Sequence, residues 1–246
     1  MNTGSKISKV LGIAFLLQFV TSFSSGVFLR QAWYVPGNIS ASMLKISNNP
    51  WLMRVNILVD MLTALGILFL GAILFVTLRR QNEKIALVAL VCYILEAALL
   101  AVSRMEAFSL IGISQEYAAA GHPVYLQTIG NLAFESMDFV GSTLHMLVFC
   151  LGGILFYYLL YQSRAVPRVL SLWGLITIFP MLIATLSAVL GYPLPFFLYV
   201  PYVPFELVIA VWILIKGVND DSESLADLAH ANQTLRVHQE PERIPE

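Results

Sequence analysis

The sequence predicts an all-α protein, a bundle of about six membrane-crossing helices, and three observations carry that prediction. Of 246 residues, 58% are hydrophobic and only 12% charged, with a mean hydropathy of +0.77; soluble domains carry about twice that share of charge. Apolar runs of roughly 20 residues, the length that crosses a ~30 Å hydrocarbon core, recur between short polar connections. Acidic residues are held away from those runs: seven of the 15 (Asp220, Asp221, Glu223, Asp227, Glu240, Glu242 and Glu246) follow Gly217.

In chain order, Lys6 and Lys9 precede the first run, Val10 to Leu29. A cleaved signal peptide could share that basic start, but no A-x-A site follows and the run is longer than a signal core. Gln18, Thr21, Ser22 and Ser25 share one face, as small polar residues at helix contacts do. Arg30 to Asn49 is a polar connection in which Ile39 to Ile46 can lie as a short interfacial helix. Asn49-Pro50 then reads as an N-cap and a first-turn proline. The second span begins at Trp51 or Val55 and ends at Leu78, and Asn56, Asp60 and Thr63 share a face near its outer end.

The third span starts after Lys84 and reaches Ser103 or beyond. Counting ~1.5 Å per residue from Ile85 puts Glu96 ~16 Å deep, near the midplane. A charge there costs at least ~2.5–3.5 kcal/mol, so the group needs a partner, water or a proton. Tyr93 is its neighbour on the same face, with Arg104 toward the outer edge. Ser114 to Gln127 reads as an outer loop. A long helix from Gln127 to Gln162 follows, on which Asn131, Glu135, Asp138, Ser142 and His145 are spaced four, three, four and three apart, within an arc of roughly 80°. Counting back ~20 residues from Tyr161 sets the outer boundary near Ser142, so His145 lies a turn inside.

Val169 to Leu190 forms the fifth span. The sixth must begin near Phe196 to reach Lys216, which places Pro201 and Pro204 inside it and predicts a kink or unwound stretch. Glu206, ten residues before Lys216, is then ~15 Å deep, at the level of Glu96. Residues 1–217 therefore form the membrane domain, and the polar stretch 218–246 reads as a disordered tail. Six spans put both termini on one side. With the termini inside, ten Lys and Arg residues are cytoplasmic and four (Arg30, Lys45, Arg54 and Arg104) external, which favours a cytoplasmic N- and C-terminus.

Net charge of −1 and the lack of a basic block exclude nucleic acid as an expected partner. Cys92 and Cys150 sit in apolar runs and read as small buried hydrophobes. Metal binding is not expected: His145 and Asp138 are seven residues apart and no HxxxH or HExxH pair exists. No cofactor is implied. The expected partners are the lipid bilayer and a small molecule; oligomeric state cannot be read.

Arg80-Gln81-Asn82-Glu83, Glu96, Ser114-Gln115-Glu116-Tyr117, the run from Tyr157 to Arg168 (YYLLYQSRAVPR), Ser171-Leu172-Trp173-Gly174-Leu175-Ile176 and the stretch Glu206 to Gly217 resemble a bacterial multi-pass membrane family catalogued as domain of unknown function 4386. The resemblance covers about residues 5 to 218. It implies about six helices in a bacterial cytoplasmic membrane and implies no activity. That family's pattern commonly has an arginine three residues before the third-span glutamate; here that position is Tyr93, so an arginine–glutamate pair would be altered, with Arg104 its nearest replacement.

Two readings of the polar residues compete. In one, Asn131 and Glu135 are a solvated helix face, and Glu96 and Glu206 clamp helices as structural acids of an accessory or sensory subunit. In the other, Asp138, Glu135 and His145 meet Asp60, Asn56 and Arg104 in an outward-facing cavity that descends to Glu96 and Glu206, where two carboxylates share a proton, serving binding or transport of a small molecule. A membrane-embedded hydrolase, third, would need Ser142 or Ser103 beside His145.

Overall fold

The computed structural model describes residues 3–218, with side chains described from Ser8 onward; the polar tail expected over 218–246 lies outside the described residues beyond Val218. Among the described residues, six helical rods are long and apolar enough to cross a membrane. α1 (Thr3–Phe23) passes through a π-helical segment, Ser24–Leu29, into α2 (Arg30–Trp33), making one rod. After the short α3 (Ile39–Asn48), whose Asn38 cap accepts from Ala41 N–H, comes α4 (Pro50–Leu78), with proline at its start where the missing N–H costs nothing. α5 (Glu83–Ala119) starts at Asn82, whose side chain accepts from Ile85 N–H. α6 (Val124–Asp138), a second π segment (Phe139–Leu144) and α7 (His145–Ser163) form the fourth rod. α8 (Arg168–Val189) and α9 (Tyr202–Lys216) complete the set.

The rods close a ring in chain order. α1 packs on α4, α4 on α5, α5 on α7, α7 on α8, α8 on α9, and α9 back on α1. Small residues let the backbones approach, the usual device where lipid removes the hydrophobic drive between helices. A Cβ added at Gly12 would stand 2.7 Å from the backbone nitrogen of Leu214, so α1 and α9 touch main chain to main chain. Gly71 on α4 and Gly152 on α7 form the two walls of a slot for the Tyr93 ring, with virtual Cβ distances of 2.9 and 2.8 Å.

One sequence expectation changes. Ser114 to Gln127 is not an open loop: α5 continues to Ala119 and α6 begins at Val124, leaving a four-residue turn with Gly121 and His122 at positive φ. At ~1.5 Å per residue α5 is ~55 Å long, well beyond the ~30 Å of a hydrocarbon core, so it has turns to spare at its C-terminal end. There Ala107, Leu110, Ile111 and Tyr117 pack with Met43, Ile46, Leu126 and Met137 as a second core. The sixth span begins at Phe196 and is unwound there as expected, with a 3-10 turn (Phe196–Leu198) ahead of the regular helix. Pro201 precedes α9 and Pro204 falls in its first turn, where neither removes a helical hydrogen bond.

Candidate outer cavity and buried carboxylate cluster

In the half of the ring away from the α7–α8 turn, the π segments of the first and fourth rods stand on one cavity of about 580 Å³, lined among others by Ser25, Arg30, Asn56, Asp60, Arg104, Asp138, Ser142 and His145. Asp60 (6% exposed) is bound on three sides. Its carboxylate takes Arg104 Nη1 at 2.7 Å, Asn56 Nδ2 at 3.1 Å and the Ser25 hydroxyl. Asn56 Nδ2 also donates to Ser25 Oγ at 2.6 Å, and Trp33 Nε1 donates to Asn56 Oδ1 at 2.8 Å. Arg104 is steadied by Ser103, whose Oγ accepts from its Nε at 3.0 Å and Nη2 at 2.9 Å. It lies flat over Gly141, a position where a Cβ would strike Arg104 Nη2 and Ser103 Oγ.

A second pair closes the cavity's rim. Arg30 Nη2 meets Asp138 Oδ1 at 2.6 Å, and Ser142 donates to the same oxygen at 3.0 Å. The Arg30 guanidinium is braced over the Tyr34 and Phe134 rings, 5.0 and 5.9 Å from their centroids. Arg30 also acts electrostatically on Asp60, and Arg104 on His145, so both pairs share one field. His145 stands on the wall with its Nδ1 buried and unpartnered.

The sequence-predicted stripe thus divides. Asn131 Nδ2 donates to Glu135 Oε1 at 2.7 Å on the outer surface of α6, and neither residue lines the cavity. The break is one of position along the rod: it falls within α6, ahead of the π segment, and Glu135 and Asn131 stand about one and two turns beyond Asp138, whereas Asp138, Ser142 and His145 line the cavity together across the π segment. Arg104 is not the partner of Glu96, since it is bound to Asp60.

Glu96 and Glu206 lie deeper and outside the cavity lining. Glu96 on α5 is 2% exposed and Glu206 on α9 is 9% exposed, and the two are close enough to interact electrostatically. The Gln18 amide from α1 reaches Glu206 as a hydrogen-bond partner. Glu96 Oε2 and Gln18 Oε1 have no donor. Tyr93, at the position where the resemblance expects arginine, neighbours both acids. Tyr157 and Tyr202 join hydroxyl to hydroxyl. Phe149 stands edge-on to Tyr202, and Phe205 edge-on to Tyr157, with centroids 5.4 and 5.1 Å apart. These rings fill the middle of the bundle below the cavity.

Residues 10–217 match a family described as a domain of unknown function, DUF4386. The chain belongs to the DUF4386 family. Neither a search of curated proteins nor a search of solved structures finds a match. For this DUF4386 protein the site residues that sequence reasoning passed over are Arg30, counted only as an external charge; Ser25, read as helix packing; and Trp33. Trp33 gave no signal, but Arg30 at the end of an apolar run, one or two turns beyond Ser25, was a legible one.

Proposed function

We propose that this integral membrane protein binds a small, polar molecule of no net charge, such as a zwitterion, in the outer cavity. The observation that carries the reading is the cavity's composition: two arginines, Arg30 and Arg104, are balanced by two aspartates, Asp138 and Asp60, around an imidazole nitrogen with no partner. A cavity with both signs of charge fixed a few ångströms apart matches a ligand that carries donors and acceptors together, while an added net charge would unbalance it. Two arginine–carboxylate pairs with spare N–H groups offer one end, and the carboxylate lone pairs the other.

Binding is better supported than passage through the bundle, because aromatic rings fill the ring below the cavity. Hydrolysis is poorly supported: the Ser142 hydroxyl is spent on Asp138, and the Ser103 hydroxyl on the Leu100 carbonyl, 2.7 Å away, so neither is activated by His145. For Glu96 and Glu206 the enclosed surroundings favour the structural reading, with Glu206 joined to Gln18 of α1. We further propose that the membrane is a bacterial cytoplasmic membrane, the cavity opens outward, and both termini are cytoplasmic, a reading that rests on the distribution of Lys and Arg.

The test is thermal stabilisation of the purified protein in nanodiscs by a panel of amino acids, betaines, polyols, organic anions and organic cations. Ligand at 100 times its Kd stabilises by about 2.7 kcal/mol. Zwitterionic or neutral members should stabilise the wild type and fail with Arg104→Ala. Stabilisation by the anions or the cations alone would overturn the reading.

A further inference from the structure

At the opposite end of the bundle, away from the cavity, the turn joining α7 to α8 and the last turn of α9 enclose a second groove of about 540 Å³. Among the described residues its lining is Arg164, Val166, Pro167, Arg168, Trp212 and Lys216, which is three cations and a tryptophan. We propose that this groove binds the phosphate of an anionic phospholipid of the adjacent leaflet.

The turn is built to aim its cations. Ala165 and Val166 are 3% and 0% exposed, so the turn is anchored by their burial. Arg164 adopts a left-handed conformation, φ 53° and ψ 22°, which a side chain accepts at a cost of about 1 kcal/mol or more. The Ser163 hydroxyl accepts from Ala165 N–H at 3.2 Å and holds the reversal. Arg168 lies over the Tyr161 ring at 5.2 Å, fixing its guanidinium at the interface level. It also opens α8, a 22-residue helix whose positive end adds to the field. Lys216 closes the groove from α9, and Trp212 is the amphipathic ring expected at headgroup depth.

Apolar stripes on both flanking helices lead away from the groove and favour a lipid over a free anion. On α8, Val169, Leu172, Ile176, Phe179 and Ile183 are exposed at spacings of three and four; on α9, Val208, Val211 and Ile215 are likewise exposed. A phosphate held by the three cations would set its acyl chains along these stripes. Basic pockets between membrane helices recognise anionic headgroups in this way.

The experiment is native mass spectrometry of the full chain released from detergent with phosphatidylglycerol, phosphatidylcholine or inorganic phosphate, with retention scored against lipid concentration. Phosphatidylglycerol should be retained well above phosphatidylcholine, and Arg164→Ala/Arg168→Ala/Lys216→Ala should weaken it roughly 100-fold, at about tenfold or less per cation. The control Lys9→Ala/Arg79→Ala/Lys84→Ala removes the same charge from exposed positions elsewhere at this end and should change retention less than threefold. Equal losses in the two triples, equal retention of both lipids, or displacement of lipid by millimolar phosphate would each overturn the proposal. A full chain carrying Asp220→Asn/Asp221→Asn/Glu223→Gln separates a further occupant, the acidic stretch that follows Lys216 in sequence. Lipid retention seen only in that variant would assign the groove to the chain's own acids and end the lipid reading.

Discussion

At the scale of single residues the cavity shows why a buried ion pair is a poor source of stability and a good source of geometry. Asp60 and Arg104 are 8% and 13% exposed at their side chains, so each has given up water and is held by the other. Removing one partner leaves a charge in the membrane: Asp60→Ala should destabilise by about 3–5 kcal/mol, whereas Asp60→Leu/Arg104→Met should recover most of that. Thermal unfolding in nanodiscs measures both; a double variant no better than the single would show that Asp60 acts through Ser25 and Asn56 instead. Glu96 poses the opposite case, since its electrostatic neighbour is another acid, Glu206. Glu96→Gln is nearly isosteric and carries a donor for the same space, so it should keep stability within about 1 kcal/mol. Glu96→Ala, which leaves a cavity, should lose about 2–5 kcal/mol. A large loss in the glutamine variant would mean that the carboxylate charge itself is needed in the core.

Elements meet through glycines, and the distances there make sharp predictions. Because the neighbour of Gly12 is the main chain of Leu214, Gly12→Val cannot be relieved by a side-chain rotation. It should separate α1 from α9 and destabilise by roughly 1–3 kcal/mol. Gly112, on the exposed side of α5 with nothing within 4 Å of its virtual Cβ, is the control; Gly112→Ala should stabilise by roughly 0.5–1 kcal/mol. Unfolding midpoints that rank the two the other way would refute the main-chain contact. The spans themselves were legible because length and hydropathy alone decide them. What escaped was helix outside the lipid. Ser114, Gln115 and Glu116 look like a loop when only hydropathy is read, although Ala107, Leu110, Ile111, Ser114 and Tyr117 already mark a helical face. The π segments escaped for a different reason: no residue type announces a widened turn.

Across the whole molecule, the two ends of the ring differ in what their cations do, and this sharpens the question of sidedness. At one end Arg30 and Arg104 are consumed in ion pairs around the cavity, leaving Lys45 and Arg54 as that side's other basic residues. At the other end Lys9, Arg79, Lys84, Arg168 and Lys216 are all exposed. Pairings such as Arg30 with Asp138, 108 residues apart, are invisible in one sequence, so counting charges there could only understate the asymmetry. Free basic charge resists translocation, and the end that carries Lys9 should therefore be cytoplasmic. In a chain with Cys92 and Cys150 replaced by alanine, Glu116→Cys at the exposed far end of α5 should react with a membrane-impermeant maleimide on intact cells. Lys9→Cys should react only after the membrane is opened. The reverse pattern would turn the cavity toward the cytoplasm, and its ligand would then have to be sought among cytoplasmic metabolites, with the basic groove facing the outer leaflet.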